Sequence, residues 1–149
     1  MGLGPNYGLN KGYLATGATA YAFGEICREI ANPAASLSSV ANAVVRQTTA
    51  IATGSAATTL VVCQENLDTV KLGTGKAIIS CAKAGAVRVL AGAAVTKGDR
   101  VTSDNTARAV TVTKATAGAI PVQVLGIAET DATAAGQFID VTLTPGGVW

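Results

Sequence analysis

Gln137-Phe-Ile-Asp-Val-Thr-Leu-Thr144 alternates strictly, with Ile139, Val141 and Leu143 on one side and Asp140, Thr142 and Thr144 on the other. A period of two marks a strand with one buried face, because successive side chains leave a pleated backbone on opposite sides. Reading backward from it, Val122 to Ile127 is apolar on both faces, as a central strand is. Arg100 to Ser103 and Arg108 to Thr113 flank Asp104-Asn105-Thr106, whose Asp and Asn suit a hairpin turn. Ala86 to Leu90 sends Val87 and Val89 one way before a bend at Ala91-Gly92, and Lys76 to Lys83 follows a Gly73-Thr-Gly75 turn. Thr69 to Leu72 alternates with Val70 and Leu72 inward, and Leu60 to Cys63 is a short apolar strand. Short strands separated by Gly-containing turns predict an all-β fold, an antiparallel β-barrel or a sandwich, over residues 57–149.

The leading segment reads differently. Residues 1–60 carry only Lys11, Glu25, Arg28, Glu29 and Arg46, while the other fifteen charges lie in 61–149. Met1 to Tyr13 interleaves Gly, Asn and Pro with Leu and Tyr; it has no period long enough to bury itself and is too apolar for a solvated tail. Residues 1–56 are therefore expected to form an extended N-terminal arm and irregular segment lying on another surface. Tyr7, Leu9, Tyr13, Leu14, Tyr21 and Phe23 are its candidate partner-binding residues, joined by Trp149 at the end of a flexible Pro145-Gly-Gly-Val-Trp149 lead. Aromatic side chains give large contact area at low entropic cost, which suits an interface. Glu25 to Ile30 predicts one short helix, stopped before Asn32-Pro33 because a residue preceding proline disfavours the α region. Ser38 to Ile51 fits helix or strand. On this reading, deleting residues 1–24 leaves a folded β domain.

Composition sets the outer bounds. The 149 residues, 14.8 kDa, make one domain or one domain with an arm. Of the 49% apolar residues, 29 are Ala, 16 Val, 10 Leu and 8 Ile, so the apolar mass is small and β-branched. Only 13% are charged and the mean hydropathy is +0.40, the opposite of a disordered chain. There is no histidine, which removes the commonest general base and metal ligand. The net charge of +2 is too balanced for a nucleic-acid groove. The longest uncharged stretch, between Gln47 and Gln64, is broken by hydroxyls from Thr48 to Thr59, so no membrane span is expected. Lys11 and Ala18-Thr19-Ala20 imitate parts of a secretory signal, but Gly12 to Gly17 between them is short and mixed, and no signal is expected. Cys27, Cys63 and Cys81 are odd in number and widely spaced, against a disulfide framework or zinc and in favour of buried free thiols.

Catalytic motifs fail on their mechanics. Ser80-Cys-Ala-Lys83 and Ser103-Asp104-Asn105 spell S-x-x-K and S-D-N, but Ser80 falls in an alternating strand where positions three apart face opposite sides, and no K-T-G follows. Gly73-Thr-Gly75-Lys76 imitates a phosphate loop, yet Val70 and Ala77 stand where Gly and Ser or Thr are needed. Asp99 and Asp104 sit where turns want Asp. A cysteine nucleophile lacks a base. The expectation is a protein that is not an enzyme and needs no cofactor or metal.

Gly85-Ala-Val-Arg-Val-Leu-Ala-Gly-Ala-Ala-Val-Thr-Lys-Gly-Asp-Arg-Val-Thr-Ser-Asp104, followed by Ala107-Arg108-Ala109-Val110, resembles the capsid decoration (cement) proteins of tailed bacteriophages. That family runs as a short strand, an AG-x-x-V-x-x-G turn, V-T-S-D and G-R-A-V; Ala107 stands where it often has glycine. Val124-Leu-Gly-Ile-Ala-Glu129 to Ala134-Ala-Gly-Gln-Phe-Ile-Asp-Val-Thr-Leu143 is similar to its closing G-x-A … A-G-x-x-V-x-V-x-L pattern. The likeness spans residues 68–144. It implies a non-enzymatic β-barrel or β-tulip made in the host cytoplasm and carried on the outer capsid surface of the virion. The same resemblance implies a homo-oligomer, a trimer, that binds the major capsid protein where capsomers meet.

Two other classes fit parts of the chain. Val95-Thr-Lys-Gly-Asp-Arg-Val101 matches the V-x-x-G-D-x-V hairpin of hammerhead carrier modules, but the modified lysine in its exposed turn is absent and Asn105-Thr106 occupies that turn. Another shell, tail or surface-layer component is the remaining structural reading.

Overall fold

The computed structural model describes residues 9–31, 42–48, 59–114, 122–145 and 147–149. Among them nine strands and one helical turn follow in the order β1 (Leu9–Ala15), β2 (Ile26–Ala31), β3 (Asn42–Arg46), β4 (Leu60–Cys63), α1 (Thr69–Leu72), β5 (Ile78–Leu90), β6 (Arg100–Ser103), β7 (Ala109–Thr111), β8 (Gly126–Ala128) and β9 (Phe138–Leu143). β1 pairs in parallel with β3, and the pairs β3–β2, β2–β4, β4–β5 and β5–β1 are antiparallel. Those five pairings close a ring. The fold is all-β and built on a five-stranded barrel, as expected, though the β1–β3 pair makes the barrel mixed rather than wholly antiparallel.

Each barrel strand sends small or ring-shaped side chains inward, and together they fill a narrow lumen: Tyr13 and Ala15, Cys27, Val44, Val61 and Cys63, Ile79 and Cys81. Small barrels have room for side chains alone, which is why alanine, valine and cysteine dominate here. Leu67 and Leu72, from the α1 region, complete this core.

A second sheet begins where β5 leaves the barrel. Gly85, with φ of 88°, is the changeover: Leu9 of β1 still pairs with Ala84, while Gly85 already pairs with Leu143 of β9. The strand's parity reverses over this stretch, where a bulge sets Leu9 against Ala84 and the next residue, Asn10, against Ala82. Ile79 and Cys81 face the barrel lumen, but Val87 and Val89 face a second core that they share with Ala82. Only glycine adopts such a φ without strain. The second sheet continues β9–β8–β6–β7, and a parallel bridge from Ala91 to Ala109 returns β7 to the end of β5. Its core joins Val95, Val101, Leu125, Ile139, Val141 and Leu143 to the outer faces of Ile26, Leu60 and Val62 on the barrel. The two sheets thus share one strand and one hydrophobic core.

Several expectations need correction. Residues 9–31 and 42–48 are not an arm: they supply three of the five barrel strands. Tyr13, Leu14 and Ala15 are buried in succession because both faces of that half of β1 are covered, so no period of two shows. The stretch expected to be a helix at Glu25 to Ile30 is β2, whose Ile26 and Cys27 bury on opposite sides, each against a different core. Thr69 to Leu72 is a helical turn, not a strand. Asp68 caps it by accepting a 2.8 Å hydrogen bond from the Lys71 amide, which leaves Val70 80% exposed. Val122 to Ile127 makes a single bridge at Gln123 before β8 begins at Gly126. The hairpin at Asp104 and the inward row Ile139, Val141 and Leu143 stand as expected.

Candidate interaction surface

The seven residues singled out from sequence fall in different places. Tyr7 lies outside the described residues. Leu9, at the start of β1, is 65% exposed. Tyr13, Leu14 and Tyr21 are buried within this chain, so they are not available to another one. Tyr13 donates its hydroxyl to the Glu29 carboxylate, and Tyr21 donates to the carbonyls of Thr16 and Val44 at 2.6 and 3.0 Å. Both tyrosines face inward, contrary to expectation, because their polar tips find partners inside the fold. Burial pushes both phenols up from their usual range. Burial opposes ionisation of Glu29, but hydrogen bonds from Tyr13 and Lys83 outweigh it and hold its carboxyl below the usual carboxylate range.

Phe23 and Trp149 do reach the surface. Phe23 is half-buried and meets Phe138 of β9 with ring centroids 5.9 Å apart and planes tilted by 55°. Phe138 is 47% exposed, so the pair forms an aromatic ridge where the turn before β2 meets the second sheet. Gly24 permits the contact, since a Cβ there would lie 2.8 Å from the Phe138 ring. Phe138 is not among the seven because it falls in the strand domain, apart in sequence from the aromatics of the leading segment. Trp149 is not on a free lead: its backbone exchanges two 2.8 Å hydrogen bonds with Val122, and its ring packs on Val112, Val122 and Val124. The Arg100 guanidinium stacks over that ring, 4.5 Å from its centroid. Ile127 pairs with Arg100 across β8–β6 and shares its face.

Three thiols meet in the barrel lumen. Cys27 Sγ and Cys63 Sγ lie 3.4 Å apart, and Cys81 is the cross-strand partner of Cys63. Hydrogen bonding to the other two sulfurs, together with burial, pushes the Cys63 thiol up, whereas hydrogen bonds from Cys27 and Cys63 hold the Cys81 thiol down, to about 5. Among the described residues no group of His, Cys, Asp and Glu is disposed to hold a metal ion. Arg46 edges a hollow of about 230 Å³ beside Thr16, Thr19 and Thr48, but its guanidinium is already engaged by Glu25.

The chain is similar in fold to the head fiber gp8.5 N base of bacteriophage phi29. The TM-score is 0.57 at 14% identity, over 91% of this chain and 93% of that one. At such an identity the likeness is one of fold. No family model and no curated protein matches the chain.

Proposed function

We propose that this chain is a structural component of a phage head that works by binding rather than catalysis. The observation that carries the reading is the fold shared with a phage head fiber base along nearly the whole of both chains. The decoration-protein resemblance over residues 68–144 supports it independently, from sequence alone. Its role is to sit on the outer capsid surface, with the major capsid protein as partner, and to stabilise contacts between capsomers. The ridge of Phe23 and Phe138 and the Trp149–Arg100 stack are the contacts the reading assigns to that partner, because both present aromatic area on rigid backbone. A trimer strengthens such contacts, since three modest sites engaged together multiply affinity through local concentration.

The test is rebinding. Purified chain is mixed with phage heads lacking it, and retention is read by sedimentation and electron microscopy. Saturable, regularly spaced density on the outer surface supports the role. Failure of a folded chain to bind heads of its own phage at any concentration overturns it. Light scattering reads the oligomer; a mass of one chain at high concentration counts against the trimer.

A further inference from the structure

The barrel lumen holds an arrangement that neither the fold likeness nor the decoration resemblance explains. The Cys63 amide bonds to the Glu25 carbonyl toward β2, at 2.9 Å, and the next amide, Gln64, bonds to the Ser80 carbonyl of β5, also at 2.9 Å. Cys63 and Cys81 therefore face each other as a non-hydrogen-bonded antiparallel pair. Such pairs bring Cα atoms to about 4.5 Å, inside the span of about 4.4–6.8 Å that a disulfide bridges. Cys27 is placed differently. It pairs with Val61, so it stands diagonal to Cys63, and diagonal positions lie about 7–8 Å apart, at or beyond that limit despite the close sulfurs.

We propose that the lumen is an oxidation site, at which Cys63 and Cys81 close a disulfide that staples β4 to β5 while Cys27 remains a thiol. Hydrogen peroxide is the oxidant, small and uncharged enough to reach a buried cluster as the barrel breathes. The Cys81 sulfur attacks one peroxide oxygen, the O–O bond breaks, and the departing hydroxide takes up a proton and leaves as water. The Cys63 sulfur then attacks the sulfenic sulfur of Cys81, forming the S–S bond. The hydroxyl leaves with the Cys63 proton as a second water. Two electrons pass from the two sulfurs to peroxide, and the whole balances as two thiols and one peroxide giving one disulfide and two waters. The depressed proton affinity of Cys81 favours it as the first nucleophile. The bridge closes a segment containing α1 and the Gly73 to Gly75 turn. This inference does not depend on the proposed role on phage heads.

The full-length chain, purified under reductant and then freed of it, is treated with hydrogen peroxide, cleared of peroxide, unfolded in guanidinium so that the buried thiols are accessible, blocked with N-ethylmaleimide and digested with trypsin. The three cysteines fall in separate tryptic peptides, 12–28, 47–71 and 77–83. The expected result is an intact chain lighter by two hydrogens before blocking, a linked 47–71/77–83 pair, and a maleimide-labelled 12–28 peptide. The melting temperature is expected to rise by about 5–10 °C and to fall back with dithiothreitol. Three retained thiols, a chain heavier by oxygen atoms, a linked 12–28/47–71 pair, or disulfide-linked dimers each overturn the proposal. Cys27→Ala provides the second variant: it should close the same bridge, and loss of bridging in a folded Cys27→Ala chain also overturns it.

Discussion

Two hydrogen bonds, 2.7 and 2.6 Å long, fasten the Arg46 guanidinium of β3 to the Glu25 carboxylate ahead of β2. Both side chains are largely buried, 16% and 10% exposed, and Arg46 also reaches the Thr106 carbonyl at 3.4 Å in the β6–β7 turn. The Glu25 hydrogen bonds strengthen Arg46's hold on its proton. The ion pair thus holds together the barrel strands β2 and β3, while the bond to Thr106 links Arg46 to the second sheet. Arg46→Met strands the Glu25 charge and is expected to cost about 3–5 kcal/mol in urea unfolding. Adding Glu25→Leu to it should recover most of that loss, because the pair's own desolvation cost disappears along with its attraction.

Gly126 is a second fixed point. It pairs with Leu143, and a Cβ at this position would lie 2.2 Å from the Thr142 carbonyl oxygen and 2.8 Å from Val141. Backbone cannot yield as a side-chain tip can. Gly126→Ala is expected to lower stability by about 2–3 kcal/mol, read from the denaturation midpoint at unchanged slope.

Acid should loosen the barrel through Glu29. Its folded carboxyl titrates lower than in the unfolded chain, so its contribution is present in full above the unfolded pKa of about 4.3. It disappears as pH falls through the lower folded value. Melting temperatures followed from pH 7 down to 3 should drop more steeply in the natural chain than in Glu29→Gln. Parallel curves for the two refute the assignment.

Removing residues 1–24 is expected to unfold the protein, contrary to what the sequence alone predicts. The deletion takes away β1, which closes the barrel through pairings with β3 and β5, and with it buried Tyr13 and Tyr21. Loss of the cooperative thermal transition in circular dichroism is the expected readout.

Phe138→Ser separates surface from scaffold. With the ring 47% exposed, the change should cost about 1 kcal/mol of stability through the lost contact with Phe23. Head binding should fall at least tenfold in the rebinding assay. Unchanged binding removes the ridge from the proposed contact.

The second sheet was legible in sequence because its strands bury one face and expose the other. Ile139, Val141 and Leu143 announce themselves by alternation, and Asp104 announces its turn. In the barrel, β4 and the first half of β5 were legible, but β1, β2 and β3 were not, for a physical reason. Ile26 and Cys27 are adjacent yet both buried, one in each core, and Tyr13 to Ala15 are buried three in a row. Where both faces are covered, periodicity vanishes, and a stretch poor in charge looks like appetite for a partner although its described residues Tyr13, Ala15, Cys27 and Val44 line a lumen. The candidate site was half visible for a related reason. Sequence shows that aromatics are present, but only the pairing of β5 with β9 places Phe138 beside Phe23. The thiols could be read as buried and free, whereas their meeting depends on register that no local pattern encodes.

β5 runs unbroken through both sheets, and this has a mechanical consequence. A load that pulls the two halves apart meets no linker to stretch. It travels along continuous backbone and sets the six register pairs with β9 in shear, where the bonds resist together instead of peeling one at a time. Under tension the molecule should yield in a single high-force event rather than in two successive ruptures.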